Sequence, residues 1–191
     1  SIFVGLGVNK LRITGGEPLV RKDVMWLIER LGTLPGLDNL VLTTNGSQLD
    51  RFAAPLRAAG VKRINISLDT FDAERFKRIT RRDGFDTVRN NILRALERGL
   101  RVKVNMVVMR GVNDDEILRF VELTRDHSLH VRFIEFMPFA GNHWGRDRVY
   151  THAEMLGHIG SVHSFEKLQD DPHSTAKAYH VPGWPGTFAV I

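Results

Sequence analysis

The sequence predicts an α/β fold of parallel strands curved into a barrel, and three observations predict it. Five strand-like runs alternate with amphipathic helical runs. Several of those strands carry apolar residues on one face and polar ones on the other. Polar clusters recur at the C-terminal ends of successive strands. Strand–helix alternation with short links implies parallel strands joined by right-handed crossovers, a pattern that a doubly wound sheet and a barrel share. The faces favour the barrel. A strand covered on both sides reads as continuously apolar, yet Ile64, Ile66 and Leu68 alternate with Asn65, Ser67 and Asp69. Leu11 and Ile13 likewise alternate with Arg12 and Thr14, and Val102, Val104, Met106 and Val108 with Lys103 and Asn105. The apolar face meets the helices, so the polar face lines a ligand-filled lumen. The alternative is a sheet with one face partly open to solvent.

The elements follow in order. Ser1 to Lys10 resembles the tail of a helix, without a start methionine or the pattern of a signal peptide. Both ends look cut, so the chain is expected to be a piece of a longer one. Strands are expected at Lys10–Thr14, Asn39–Thr44, Lys62–Leu68, Arg101–Met109 and His130–Met137. In the last of these Arg132 and Glu135 fall on opposite faces. Helices are expected at Asp23–Leu31, Gln48–Ala59, Phe85–Arg98 and Asp114–His127, where apolar residues recur with the helical period. Asn113 reads as an N-cap with Asp114, Asp115 and Glu116 in the first turn, and Gly60 and Gly99 as the residues just past helix ends. After Met137-Pro138 the pattern changes. Phe139–Arg148 reads as loop, Thr151–Ile159 as a helix with a Thr151/Glu154 capping box, Ser164–Ser174 as loop, and Lys177–Ile191 as a hairpin about Pro182-Gly183-Trp184-Pro185-Gly186. The division expected is therefore a barrel core over residues 1–150 and the start of an extension over 151–191.

Composition bounds the function. With 42% hydrophobic and 26% charged residues the chain is globular, and its 191 residues suffice for a sizeable core. No run reaches the roughly 18 apolar residues of a membrane helix, and a cytoplasmic location is expected. There is no cysteine, which excludes disulfides and thiolate-held metal within the chain. The eight histidines show no metal-ligand spacing, so no metal site is expected. No phosphate loop, dinucleotide fingerprint or nucleophile elbow is present. The net charge of +5 favours anionic partners. Lys77, Arg78, Arg81 and Arg82 beside Phe76 form a basic cluster. That cluster reads as a solvated helix face rather than a nucleic-acid patch, because no aromatic stacking platform accompanies it.

The chemistry concentrates at five strand ends: Gly15-Gly16-Glu17-Pro18, Thr43-Thr44-Asn45-Gly46, Ser67-Leu68-Asp69, Asn105 with Arg110, and Glu135-Phe136-Met137-Pro138. In α/β barrels that end carries the site. Adjacent glycines let backbone approach a ligand, and Glu17 places a carboxylate where a charged amine would sit. Asn45-Gly46 also suits a plain turn, and Asp69 a helix cap. Arg12 and Lys103 face the polar layer, where a cation needs a partner. Glu17 and Glu135 are candidate partners, and a phosphate-bearing ligand is the favoured one.

These segments resemble the radical S-adenosylmethionine (SAM) enzymes, and most closely the GTP 3′,8-cyclase family of molybdenum cofactor biosynthesis. The resemblance rests on the run from Arg12 to Asp23, on Arg63-Ile64-Asn65-Ile66-Ser67-Leu68-Asp69, on the run from Val107 to Asp114, and on the run from Val131 to Pro138. It covers residues 1–160 closely and the rest loosely. It implies a partial (βα)6 barrel that lacks its first strand and cluster loop. It implies SAM contacts at Gly15, Gly16, Glu17, Pro18, Ser67 and the Met137 backbone, and GTP contacts at Arg12, Thr43 and Lys103. No catalytic residue is assigned. The family also needs two 4Fe-4S clusters, held by a CxxxCxxC loop expected upstream of Ser1 and by three cysteines expected downstream of Ile191. The implied partners are GTP, an electron-donating reductase and the next enzyme of the pathway, with no nucleic acid. On this resemblance the chain alone is inactive. The alternatives are another radical SAM enzyme or a non-catalytic basic barrel fragment.

Overall fold

The computed structural model describes residues 2–137, 145–169 and 175–191. The elements in order are α1 (Ile2–Gly5), β1 (Lys10–Ile13), α2 (Val24–Gly32), β2 (Asn39–Thr44), α3 (Leu49–Ala58), β3 (Val61–Ser67), α4 (Ala73–Thr80), α5 (Phe85–Glu97), β4 (Arg101–Val108), α6 (Ile117–Asp126), β5 (His130–Glu135), α7 (His152–Gly160), β6 (Glu166–Lys167), β7 (Lys177–His180) and β8 (Thr187–Val190). The chain divides into two compact units, Ser1–Ser67 with Arg82–Lys103, and Leu68–Arg81 with Val104–Ile191.

In the first unit β1, β2 and β3 run parallel, with Arg12 opposite Val41 and Val41 opposite Arg63. The central strand β2 is apolar at consecutive positions Leu40, Val41 and Leu42, all buried, as a strand covered on both faces must be. The helices bury one stripe each: Val24 and Ile28 on α2, Leu49, Ala53 and Leu56 on α3, and Val88, Ile92 and Ala95 on α5. Spacings of three and four residues place these side chains on a single helix face.

In the second unit the strand order is β4, β5, β8, β7, β6. β5 and β8 are parallel, whereas β8–β7 and β7–β6 are antiparallel. Phe133 sits edge-on between Phe120 and Phe188, with ring centroids 6.5 Å apart in both pairs. Such pairs add about 0.5–1.5 kcal/mol beyond the area they bury. The tail is thus tied into the core of this unit, with Tyr179 stacked on Phe188 at 5.4 Å.

The expected strands and helices are present within one or two residues at each end, apart from a shorter β5, and the Thr151/Glu154 capping box forms. Four differences have physical causes. Helix α4, expected only as a basic helix face and without bounds, begins where the Asp72 side chain accepts from the Arg75 amide at 2.6 Å. Four of its eight residues, Glu74, Arg75, Lys77 and Arg78, are charged, which masks the apolar period. Asp72, not Asp69, is therefore the cap. The helix expected from Asp114 starts as a 3₁₀ turn over Asp114–Glu116 and becomes α only at Ile117. Asn113 does not cap it with its side chain, which is buried and bonded elsewhere. Finally, Glu166–Lys167, expected as loop, pairs with Tyr179 and His180 as a charged edge strand too short for alternation to register. Much of the Phe139–Arg148 run and the end of the Ser164–Ser174 run, including Pro138 and His173, lie outside the described residues.

Candidate ligand site

β1 ends at Ile13 and leads into the glycine pair. Gly15 takes φ 142°, a conformation that other L residues rarely adopt. A Cβ built at Gly15 or at Gly16 meets nothing within 4 Å, so open space flanks both sides of this backbone. Such a bare, open turn fits a ligand that lies against main-chain groups, as the methionine part of SAM would.

Glu17 behaves differently from the expectation of a waiting carboxylate. Its Oε1 accepts from the Leu19 amide at 3.1 Å and from Thr44 Oγ1 at 2.7 Å, and its Oε2 accepts from the Asn45 amide at 2.6 Å. Two amides and a hydroxyl thus spend most of its acceptor capacity. Glu17 ties the β1 turn to the β2 turn and holds Gly15-Gly16 in place; it does not pair with Arg12. Thr44 Oγ1 in turn accepts from the Gly46 amide at 3.1 Å, Asn45 Oδ1 from the Ser47 amide at 2.9 Å, and the Gly46 carbonyl from Asn91 Nδ2 at 2.9 Å. Thr44, Asn45 and Gly46 are therefore turn architecture.

The polar strand face of the first unit has two rows. Strand register places Arg12, Val41 and Arg63 side by side, with Thr43 and Asn65 in the row above. Arg101 lies close enough to act on Arg63: burial first, then the neighbouring Arg12 and Arg101 guanidiniums, pull the Arg63 pKa below the ordinary arginine value. Among the described residues no carboxylate pairs with Arg12, Arg63 or Arg101. Arg63 Nε is buried without a hydrogen-bond partner, and so is Asn65 Oδ1. Asn65 Nδ2 reaches Thr43 Oγ1 only at 3.5 Å. Unpaired buried polar atoms cost about 1–3 kcal/mol each and call for a ligand or ordered water. Ser67 is exposed at the end of β3, and Lys103 is half-buried on β4. The sequence reading missed Arg63 and Arg101, although their signal was present: Arg63 lies two residues before Asn65, a polar-face residue, and Arg101 two before the assigned Lys103, on the same strand faces.

In the second unit one group of buried polar residues satisfies its hydrogen bonds on itself and on the backbone. Asp69 Oδ1 accepts from the Val107 amide at 2.8 Å, and burial pushes the Asp69 carboxyl up despite that bond. Asn113, fully buried, donates to the Asp69 carbonyl at 2.8 Å and the Val107 carbonyl at 2.9 Å and accepts from the Met109 amide at 2.8 Å. Glu116 accepts from the Thr70 hydroxyl, from the Phe71 amide at 2.6 Å and from Arg75 Nη1 at 2.7 Å. Glu135 Oε2 accepts from the His152 amide at 3.0 Å, which occupies the other expected carboxylate. Three buried atoms of this unit, Asn105 Oδ1, Arg132 Nε and His163 Nε2, have no hydrogen-bond partner. Met137 follows β5 with its side chain 76% exposed. No group of three or more His, Asp or Glu among the described residues is placed to hold a metal.

Residues 2–124 match the family described as the Radical SAM superfamily. The chain is 48% identical over its whole length to molybdenum cofactor biosynthesis protein 1 of Dictyostelium discoideum, of which it covers 31%. It is 47% identical to the mitochondrial GTP 3′,8-cyclase of Arabidopsis thaliana, again over its whole length, and covers 50% of that protein. The chain thus spans about a third to a half of the length of these relatives. Its fold is that of a radical SAM methyltransferase from Sphaerobacter thermophilus, with a TM-score of 0.65 at 18% identity, covering 95% of this chain and 51% of that one. A parallel α/β framework, a glycine turn open at the end of β1, and a family match over most of the chain agree: this protein belongs to the radical SAM superfamily.

Proposed function

We propose that the chain is the barrel core of an enzyme that closes GTP into (8S)-3′,8-cyclo-7,8-dihydroguanosine 5′-triphosphate for molybdenum cofactor biosynthesis. The observation that carries the reading is the uncompensated cationic row of the first unit, Arg12, Arg63 and Arg101, with a buried Nε on Arg63 that has no protein partner. The names borne by the relatives support it.

SAM would lie along Gly15 and Gly16, with Ser67 and the Met137 backbone as further contacts, and would supply the radical chemistry of the superfamily. The chain has no cysteine, and its residues do not fit a thiolate-held iron–sulfur cluster. The remaining roles belong to the chain itself. Glu17 fixes the glycine turn so that its main-chain groups keep one geometry for the methionine end. Arg12, Arg63, Arg101 and Lys103 bind the triphosphate, since guanidinium forks match phosphate oxygens two at a time. Thr43 and Asn65, one row nearer the strand ends, orient the nucleoside between the phosphates and the glycine turn. Holding the ribose C3′ and guanine C8 in a fixed relation is the protein's share of the bond formation. An electron donor and the enzyme that consumes the product are the implied partners.

Arg12→Ala tests the reading. Loss of a charge-assisted phosphate contact should weaken GTP binding about tenfold or more while SAM affinity stays within about twofold. Titration calorimetry reads both. GTP binding that ignores the substitution would overturn the assignment.

A further inference from the structure

The second unit contains a cavity that the reading above does not use. It measures about 580 Å³ and is lined by Arg75, Arg78, Arg81 and Arg148 with Ile79, Met109 and Val112. Volumes of this size suit small-molecule ligands. The arginines are not equivalent. Arg75 is spent: its Nη1 meets Asp115 and Glu116, both at 2.7 Å, and its Nη2 meets Asp115 at 3.0 Å. Arg148 donates from Nη1 to the Arg110 carbonyl at 3.2 Å, which fixes its guanidinium against the Gly111 turn, where a Cβ would come within 3.3 Å of it. The Arg78 and Arg81 side chains have no ion-pair or hydrogen-bond partner among the described residues. Arg81 ends α4 at φ 57°, an uncommon conformation for a residue other than glycine.

We infer that this cavity is an anion site for a small ligand of the phosphate-ester class, with Arg78, Arg81 and Arg148 on the phosphates and Ile79, Met109 and Val112 against its apolar part. Three features carry the inference. Guanidiniums converge on one concavity with no acid supplied to two of them, an arrangement that costs repulsion unless an anion enters. The floor is apolar, so a simple hydrated counter-ion does not fill it. One wall is braced from behind by the Glu116 network, so the site is preorganised rather than a loose spray of surface arginines. The basic cluster that composition assigned to a solvated face is thereby given a ligand. This site does not depend on the GTP reading.

Titration of the full chain with inorganic pyrophosphate tests it, on the native protein and on Arg78→Ala/Arg81→Ala, with GTP titrated in parallel. Both positions are exposed, so the pair should melt within a few degrees of the native chain, and Arg78→Glu/Arg81→Glu serves as a second variant. The expected result is loss of one class of pyrophosphate sites, about tenfold or more in affinity, with GTP affinity unchanged. That result without any GTP binding to the native chain would sink the proposed function and leave this site standing. Identical pyrophosphate isotherms for native and variant would overturn the inference. So would a joint loss of GTP and pyrophosphate binding, which would merge the cavity with the strand-face site. Binding of an acidic peptide in place of pyrophosphate would overturn the ligand class.

Discussion

The two units arrange buried polarity differently: the second closes one large network yet leaves Asn105 Oδ1, Arg132 Nε and His163 Nε2 without a hydrogen-bond partner, and the first leaves open the face that carries its row of arginines. In the second, Asp69, Asn113, Thr70, Glu116 and Arg75 close their hydrogen bonds on one another and on the backbone. In the first, the strand face keeps three arginines near one another, a buried Arg63 Nε without a partner and an Asn65 carbonyl oxygen without a donor. A satisfied network specifies a structure; an unsatisfied one stores a cost that a ligand or ordered water offsets. The contrast explains why motif residues of similar appearance have different duties. Glu17 and Glu116 are both carboxylates bound to main-chain amides near strand ends, and each locks a turn. Arg12, Arg63 and Arg101 meet no carboxylate among the described residues and are the groups left to receive a substrate.

The comparison is easiest to break in the second unit. Glu116→Ala removes a buried carboxylate that serves Thr70, Phe71 and Arg75, and loss of one partner of a buried ion pair costs about 3–5 kcal/mol. For a chain of this length that corresponds to a fall in Tm of roughly 6–20 °C, readable by calorimetry. A shift of a degree or two would mean that the network contributes little. A smaller effect concerns pH. The Thr151 amide, then Arg110, then the Thr151 hydroxyl hold the Glu154 carboxyl down to about 2 from an ordinary 4.5. The folded pKa lies below the unfolded one, so this contribution is present above about 4.5 and is lost as pH falls toward about 2. The Tm gap between the native chain and Glu154→Gln should therefore be widest near neutral pH and narrow through that window. A gap that does not change with pH would contradict the assignment.

The sequence showed the framework because alternation and helical period are properties of backbone geometry, and β3, β4, α5 and α6 carry them in their residues. It showed the glycine turn because two adjacent glycines before an acid and a proline have few other uses. It showed α4 only as a basic helix face without bounds, because charged residues surround its buried Phe76, and it did not show β6, which is two residues long. Most instructive is Glu17. Its residue type suggested a ligand for an amine, but only the fold brings the Thr44 hydroxyl and the Asn45 amide to its oxygens. Arg63 was missed for the converse reason. Its place on the polar face was legible, whereas its isolation from every acid depends on which strands neighbour β3.

The central claim is that the strand face of the first unit is left unsatisfied for an anionic substrate. Arg63→Met tests it most directly, because Met keeps much of the side-chain volume and removes both the crowded charge and the orphaned Nε. With stability and GTP affinity measured on the same variant, the account predicts a Tm unchanged or raised and GTP binding weaker by about tenfold or more. A lowered Tm with GTP affinity intact would show instead that Arg63 is a structural residue, and that the row it belongs to was never a substrate site.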